Sequence, residues 1–402
     1  MTAYAIDTNQ FWQQHARFLK TNLVTEAVNP LTTNLSELCE NNMGAAFTLF
    51  QQVELQAIDK LNNYIPELVQ LRLDIQHVLR QQTSKIYLVG CGSSGRLAML
   101  LKRLYAIYNP HDSNKIICVN SAGDTSLIKA VEQFEDNKQY GIRQLLQQGY
   151  SPNDLVIGLS ASGESPFITA IVEHAAQTSR YSPYLLFNNP YNSLLERDTQ
   201  HILTNTKVKP LALDVGPMAL TGSTRLQATT AMQIALSLAL YPEVEATKNN
   251  PDNFIELHLQ QIKATLKALP LDTLAPLTTQ EADILRKQEY ILYQTNEGLI
   301  GLSILADITE RAPTFNLLPF ENNTDTTPLK PSPFYLSLTQ ANSIDQAWEI
   351  LLGQVPVCLN WADFPATSRS YMNGFDLSNN SRRGQGSYLD KPQHKLFWNQ
   401  EN

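Results

Sequence analysis

Cysteine is scarce in this 402-residue chain: Cys39, Cys91, Cys118 and Cys358 stand far apart with no C-x-x-C spacing. Cys118 lies inside an apolar run, where a reduced, buried thiol is the ordinary state, so a reducing compartment is expected. The seven histidines, His111, His174 and His201 among them, have neither i, i+4 nor H-x-H spacing, and no metal site is expected. Basic clusters are missing too. With a formal charge of −8 and no Lys/Arg patch to displace counterions, nucleic acid is not an expected partner. No stretch approaches a membrane-spanning run of about eighteen apolar residues. The opening MTAYAIDTNQFWQQHARF also lacks a basic region followed by an apolar one. A soluble cytoplasmic protein with no membrane contact is the resulting expectation.

What is present is a long helical prelude followed by alternation. Residues 34–82 are rich in Leu and Gln and contain only Gly44 and Pro66 as breakers, which predicts consecutive amphipathic helices. Apolar runs then recur between helical stretches: IYLVG (86–90), IICVN (116–120), DLVIGLS (154–160), PYLLFNN (183–189) and KPLALDV (209–215). Such alternation predicts βαβ units, hence a parallel sheet with helices on both faces. The polar stretch 242–256, with Pro242 and Pro251, is the best boundary. Beyond it, Thr278 and Glu281 form a capping box for a helix running to Arg286, and YILYQ (290–294) reads as a strand.

That strand exposes an internal repeat. Laid on KIYLVGCGSSGRLAMLLKRL, the segment ILYQTNEGLIGLSILADITE sets Leu292 on Ile86, Gly301 on Gly95 and Glu310 on Leu104. The next strand, FYLSLT (334–339), needs a different shift, so the second half reads as a shortened, degenerate copy of the first.

Ligands of a parallel sheet bind at the carboxyl ends of its strands, where helix N-termini offer free N–H groups. Gly90, Gly92 and Gly95 spell G-x-G-x-x-G at the first such end. A dinucleotide site would also want an acidic residue after the second strand, where Asn120 and Ser121 stand instead, so no NAD-type cofactor is expected. Three loops are instead rich in hydroxyls: Ser93 and Ser94 after the first strand, Ser160, Ser162 and Ser165 in SASGES, and Ser223 and Thr224 in GPMALTGSTR. Singly, such residues serve as helix caps and turn formers. Together at successive strand ends they suit a phosphate ester, which needs several short-range donors. Glu132, Glu135 and Asp136 read as the C-terminal end of a helix, an unfavourable place against the dipole.

VGCGSSGR, AVEQFEDN, GLSASGESPF and DVGPMALTGSTR, in that order and spacing, resemble the sugar isomerase (SIS) family of N-acetylmuramic acid 6-phosphate etherase and glucokinase regulatory protein; TEAVNP (25–30) is similar to that family's N-terminal segment. The resemblance implies a three-layer αβα SIS fold: a helical segment over 1–45, a sugar-phosphate-binding domain over 46–245 and a degenerate SIS-like domain over 246–402. It implies a hexose or amino-sugar 6-phosphate held by Gly92, Ser93, Ser94, Ser160, Ala161, Ser162, Ser165, Ser223 and Thr224, with no cofactor. The two-half layout resembles the regulator, a binding protein that engages a sugar kinase. An etherase-type lyase or an isomerase is the alternative, with Glu135 and Glu310 as its acid/base groups, Glu310 coming from ADITERAPTF (306–315) in the second half. Against the etherase pattern, Leu104 replaces one glutamate, Met218 replaces the glutamate of G-P-E, Gln227 replaces the lysine of S-T-R-M-K, and Glu164 reverses the charge of S-G-R-T-P.

Overall fold

The computed structural model describes residues 23–128, 131, 133–241, 251–289, 291–311 and 334–379. The chain divides into two compact units, one of residues 1–121 with 132–276 and the other of residues 122–131 with 277–402.

In the first unit the prelude forms α1 (Leu35–Asn41), α2 (Met43–Leu61) and α3 (Ile65–Leu79). Asn42 opens α2 by accepting the Ala45 N–H at 3.0 Å, and Pro66 sits in the first turn of α3, where a missing N–H costs nothing. Val53, Ala57, Ile58 and Leu61 make the buried stripe of α2 at helical spacing. The sheet is parallel throughout, in the order β2-β1-β3-β4-β5, from β1 (Ile86–Gly90), β2 (Ile116–Asn120), β3 (Leu155–Leu159), β4 (Tyr184–Phe187) and β5 (Lys209–Ala212). Every residue of β1 and β3 is buried, as continuous Val/Ile/Leu runs require when helices cover both faces. Connecting β1 to β2, β2 to β3 and β3 to β4 are α4 (Gly92–Tyr108), α5 (Lys138–Gln147) and α6 (Pro166–Thr178), and α7 (Gln227–Leu240) follows β5. The order reverses between β1 and β3, which puts the ligand crevice of such a sheet at their carboxyl ends.

The terminal carbonyls of α7 find their partners on α3. Arg72 donates to Leu238 O and Tyr241 O at 2.6 and 2.9 Å, and Gln76 donates to Ala239 O at 2.9 Å. The helix α8 (Pro251–Ala268) also belongs to the first unit, although the boundary expected at 245/246 would assign it to the second. It packs on α2 and α3: Leu266 O accepts from Gln51 at 2.7 Å and Lys263 pairs with Asp59 at 2.5 Å. Residues 242–250, in the middle of the expected boundary, lie outside the described residues.

The second unit pairs β6 (Ile291–Thr295) with β7 (Phe334–Leu338) in parallel, with α10 (Gly298–Arg311) and α11 (Ile344–Leu352) following the strands; α9 (Ala275–Arg286) precedes them. Residues 122–128 join this unit, where the Asp124 carboxylate accepts the Val357 N–H at 2.7 Å. The repeat is visible in its geometry. Gly95 and Gly301 are each the fourth residue of their helices. A Cβ on Gly95 would lie 1.8 Å from Asn120, the end of β2, and one on Gly301 would lie 2.9 Å from Leu338, the end of β7. In both units the residue after the second strand donates its N–H to the last carbonyl of the first, Ser121 to Gly90 and Thr339 to Thr295, at 3.0 Å.

Two local expectations are corrected. Helix α9 begins at Ala275, directly after a 3-10 turn (Leu271–Leu274), with Pro276 as its second residue; Thr278 is therefore inside the helix and caps nothing, and Glu281 instead accepts the Tyr293 hydroxyl at 2.5 Å. Glu135 and Asp136 do not end a helix. They precede α5, whose cap Asn137 accepts the N–H groups of Gln139 and Tyr140, so their charges stand at the favourable positive end of the dipole. Glu132 lies outside the described residues. Among the described residues no helix is long and apolar enough to cross a membrane.

Candidate functional site

The three hydroxyl loops of the first unit converge. Gly92 turns the chain out of β1 with φ +52°, a left-handed conformation that a side chain would strain, and so sets Ser93 and Ser94 on the first turn of α4. Ser93 Oγ lies 3.1 Å from Thr224 Oγ1, which joins the first loop to the last. Cys91 Sγ lies 3.5 Å from Ser165 Oγ, which joins the first loop to the middle one. Ser94, Ser160, Ala161 and Ser165 are buried; Ser93, Ser162, Ser223 and Thr224 are half-buried.

The middle loop arranges its hydroxyls as donors. Ser160 Oγ accepts the Gly163 N–H at 3.1 Å and Ser162 Oγ accepts the Glu164 N–H at 3.3 Å. A hydroxyl that has accepted from its own loop still has its O–H to give, and an anion is the partner this suits. Pro166 begins α6 immediately afterwards, so the same loop delivers the positive end of a helix dipole.

Asn120, where a dinucleotide fold would put its ribose acid, is turned to structural use. It packs against the first turn of α4 at Gly95, its amide lies 3.4 Å from Met99 Sδ, and its carbonyl accepts from Gln144 at 2.6 Å.

Glu135 stands at the site's edge. Its carbonyl accepts the Phe167 N–H of the α6 first turn at 3.0 Å, while its exposed carboxylate acts on Cys91 through space. Burial pushes the Cys91 thiol well above its usual range, Glu135 and Asp136 push it further, and hydrogen bonds with Ser165 and Ser121 offset only part of this. Cys91 is thus a neutral thiol at neutral pH and unsuited to nucleophilic work. Glu310 belongs to α10 in the second unit, and its side chain lies outside the described residues. Leu104 sits in α4.

Several residues of this region were not singled out from sequence. Asn189 donates to the carbonyls of Ala161 and Ser162, both at 3.3 Å, and accepts the Thr25 N–H at 3.2 Å. Asn29 donates to Pro217 O at 2.9 Å, Thr32 to Ala219 O at 2.7 Å, and Gly222 N–H to Thr25 O at 3.2 Å. Residues 25–32 are therefore a strap that binds the 160–165 loop, through Asn189, to the 216–226 loop. Beneath the latter, Gln227 accepts the Ala219 N–H at 2.7 Å and donates to Glu54 at 3.1 Å. Burial raises the Glu54 carboxyl above its ordinary value, and bonds from Thr230 and Gln227 lower it in part. Met218 is fully buried. The motif TEAVNP was a signal for the strap; nothing local marks Asn189 or Glu54.

Residues 70–176 match the glucokinase regulatory protein N-terminal SIS domain. Among curated relatives, N-acetylmuramic acid 6-phosphate etherase of Enterobacter is 31% identical over 220 residues, covering 54% of this chain and 68% of that protein. The etherase of Klebsiella aerogenes is 28% identical over 216 residues, covering 54% and 67%. That of Prochlorococcus marinus is 27% identical over 284 residues, covering 70% and 84%. Among solved structures, tagatose-6-phosphate ketose/aldose isomerase from Escherichia coli shares 13% identity at a TM-score of 0.41, with 94% of this chain and 100% of that chain covered.

Proposed function

This chain belongs to the SIS family of the N-acetylmuramic acid 6-phosphate etherases and the glucokinase regulatory protein, and on that premise we propose that its first unit binds a hexose or amino-sugar 6-phosphate as a sensor. One observation carries the reading: side chains from three separate strand ends meet, the Ser93 hydroxyl with that of Thr224 and the Ser165 hydroxyl with the Cys91 thiol, around a loop whose serines already accept the amides of Gly163 and Glu164. Phosphate would take its donors from Ser93, Ser94, Ser160, Ser162, Ser165, Ser223 and Thr224, and the amides near Gly92 and Ala161 would complete the cradle. The sensor reading is favoured over turnover by Leu104, an aliphatic side chain where the etherase pattern has a carboxylate. It extends to action in the cytoplasm and to a sugar kinase as protein partner, which pull-down with and without fructose 6-phosphate tests.

The second reading is an etherase-type lyase, favoured by the curated relatives and by the position of Glu135 beside the 160–165 loop. Calorimetry with fructose 6-phosphate and N-acetylmuramic acid 6-phosphate, paired with proton NMR time courses, separates the two. Binding without change of either sugar is the expected result. Lactate release would establish the lyase, and aldose–ketose interconversion an isomerase.

A further inference from the structure

The 160–165 loop carries one charge among its hydroxyls. Glu164 donates its amide to Ser162 Oγ and is followed directly by Ser165, so its carboxylate is mounted on the turn that the phosphate reading assigns to the ligand. An uncompensated carboxylate there would oppose a phosphate dianion, and the more strongly for being shielded from water. It is compensated. Arg197, from the turns that follow β4, pairs through Nε with Glu164 Oε1, and the two side chains are only 11% and 19% exposed. Arg197 is thus fixed against the loop at a point distant in sequence, and the pair brings no net charge to the pocket.

We propose that Arg197 is a positioning residue for phosphate binding, which masks the Glu164 charge and holds it turned from the ligand, so that removing Arg197 converts the 160–165 loop from an anion acceptor into an anion repeller. The proposal rests on the phosphate reading of this site. It accounts for how a loop that carries a carboxylate where the resembling family carries a cation can still take a phosphate: the guanidinium at position 197 offsets that carboxylate.

The two roles open to the pair, charge masking and simple bracing, part company in a cycle of variants. Either change breaks the ion pair between the two side chains, whereas only loss of Arg197 leaves the Glu164 carboxylate in place without it. Calorimetric titration with fructose 6-phosphate and with inorganic phosphate is run on the full-length wild type, Arg197→Ala, Glu164→Gln and the double variant. Arg197→Ala should weaken both probes by about tenfold or more, and adding Glu164→Gln should recover affinity to within about threefold of wild type. Glu164→Gln alone should bind at least as tightly as wild type, because it removes the carboxylate from the loop. Melting of the unliganded proteins guards against misfolding; if Arg197→Ala is unfolded, Arg197→Lys should keep wild-type affinity to within about threefold and Arg197→Gln should lose it. A double variant no better than Arg197→Ala, or an Arg197→Ala that binds like wild type, overturns the proposal and leaves the phosphate reading standing. A wild type that binds neither probe overturns both.

Discussion

Ser162 shows what a hydroxyl contributes when its acceptor side is already engaged, and Ser223 what a turn contributes by fixing its backbone. Ser162 Oγ takes the Glu164 N–H, and Ser223 is held in its turn by its own amide, which donates to Leu220 O at 2.8 Å. Hydrogen bonds to a charged group are worth roughly 1.5–3 kcal/mol each, so Ser162→Ala with Ser223→Ala should weaken fructose 6-phosphate at least tenfold while the fold persists. Titration calorimetry alongside far-UV circular dichroism checks both halves of that statement. Cys91 gives a second expectation at this scale. Its thiol is held neutral by burial and by Glu135, so iodoacetamide at pH 8 should modify it only as fast as the protein opens. Cys358 is half-buried and pushed up to about 11 chiefly by burial, so it should react slowly through its small thiolate fraction; peptide mass spectrometry over time distinguishes the two.

Helix α2 reaches the site through one carboxyl. Glu54 is raised by burial, so between its unfolded and folded values the native state holds the extra proton, and stability falls as pH rises through that interval. Its burial is therefore most costly above the folded value and costs nothing below the ordinary carboxylate range near 4.5. Glu54→Gln keeps an acceptor for the Gln227 amide and should melt higher than wild type at pH 7–8, with the difference vanishing as pH falls toward 4.5. The paired glycines test the repeat in the same way. Alanine at Gly95 would meet Asn120 at 1.8 Å, at a buried side chain wedged between α4 and β2. Alanine at Gly301 would meet leucine methyls at 2.9 and 3.1 Å, which can shift, and a Thr295 methyl at 3.4 Å, an ordinary contact. Overpacking costs about 1–3 kcal/mol and more where nothing yields, so Gly95→Ala should be the more destabilising of the two in urea unfolding.

For the whole molecule, a ligand that binds only the native state stabilises it by mass action, about 2.7 kcal/mol at a hundred times its dissociation constant. A hexose 6-phosphate should accordingly raise the first thermal transition and NAD should leave it unmoved; differential scanning fluorimetry across both reports the ligand class in one experiment. By itself the sequence determined the parallel sheet, because Val/Ile/Leu runs of strand length between helical stretches have few other ways to hide their apolar side chains, and β1 to β7 lie where those runs stand. It also determined the three hydroxyl loops and the repeat, whose signals are contiguous or regularly spaced. The capping box at Thr278 and the helix end at Glu135 misled because a local motif does not say whether a preceding turn has already started the helix, or whether an acidic pair comes before it rather than after. Only tertiary structure decided that residues 25–32 strap two loops together through Asn189, that Arg197 answers Glu164, and that Glu54 lies under Gln227. These partners are 27 to 188 residues apart, and neither a hydrogen bond nor an ion pair leaves a periodic mark in the chain; what selects them is the exclusion of water where the elements close, which makes a buried polar group without a partner too costly to keep.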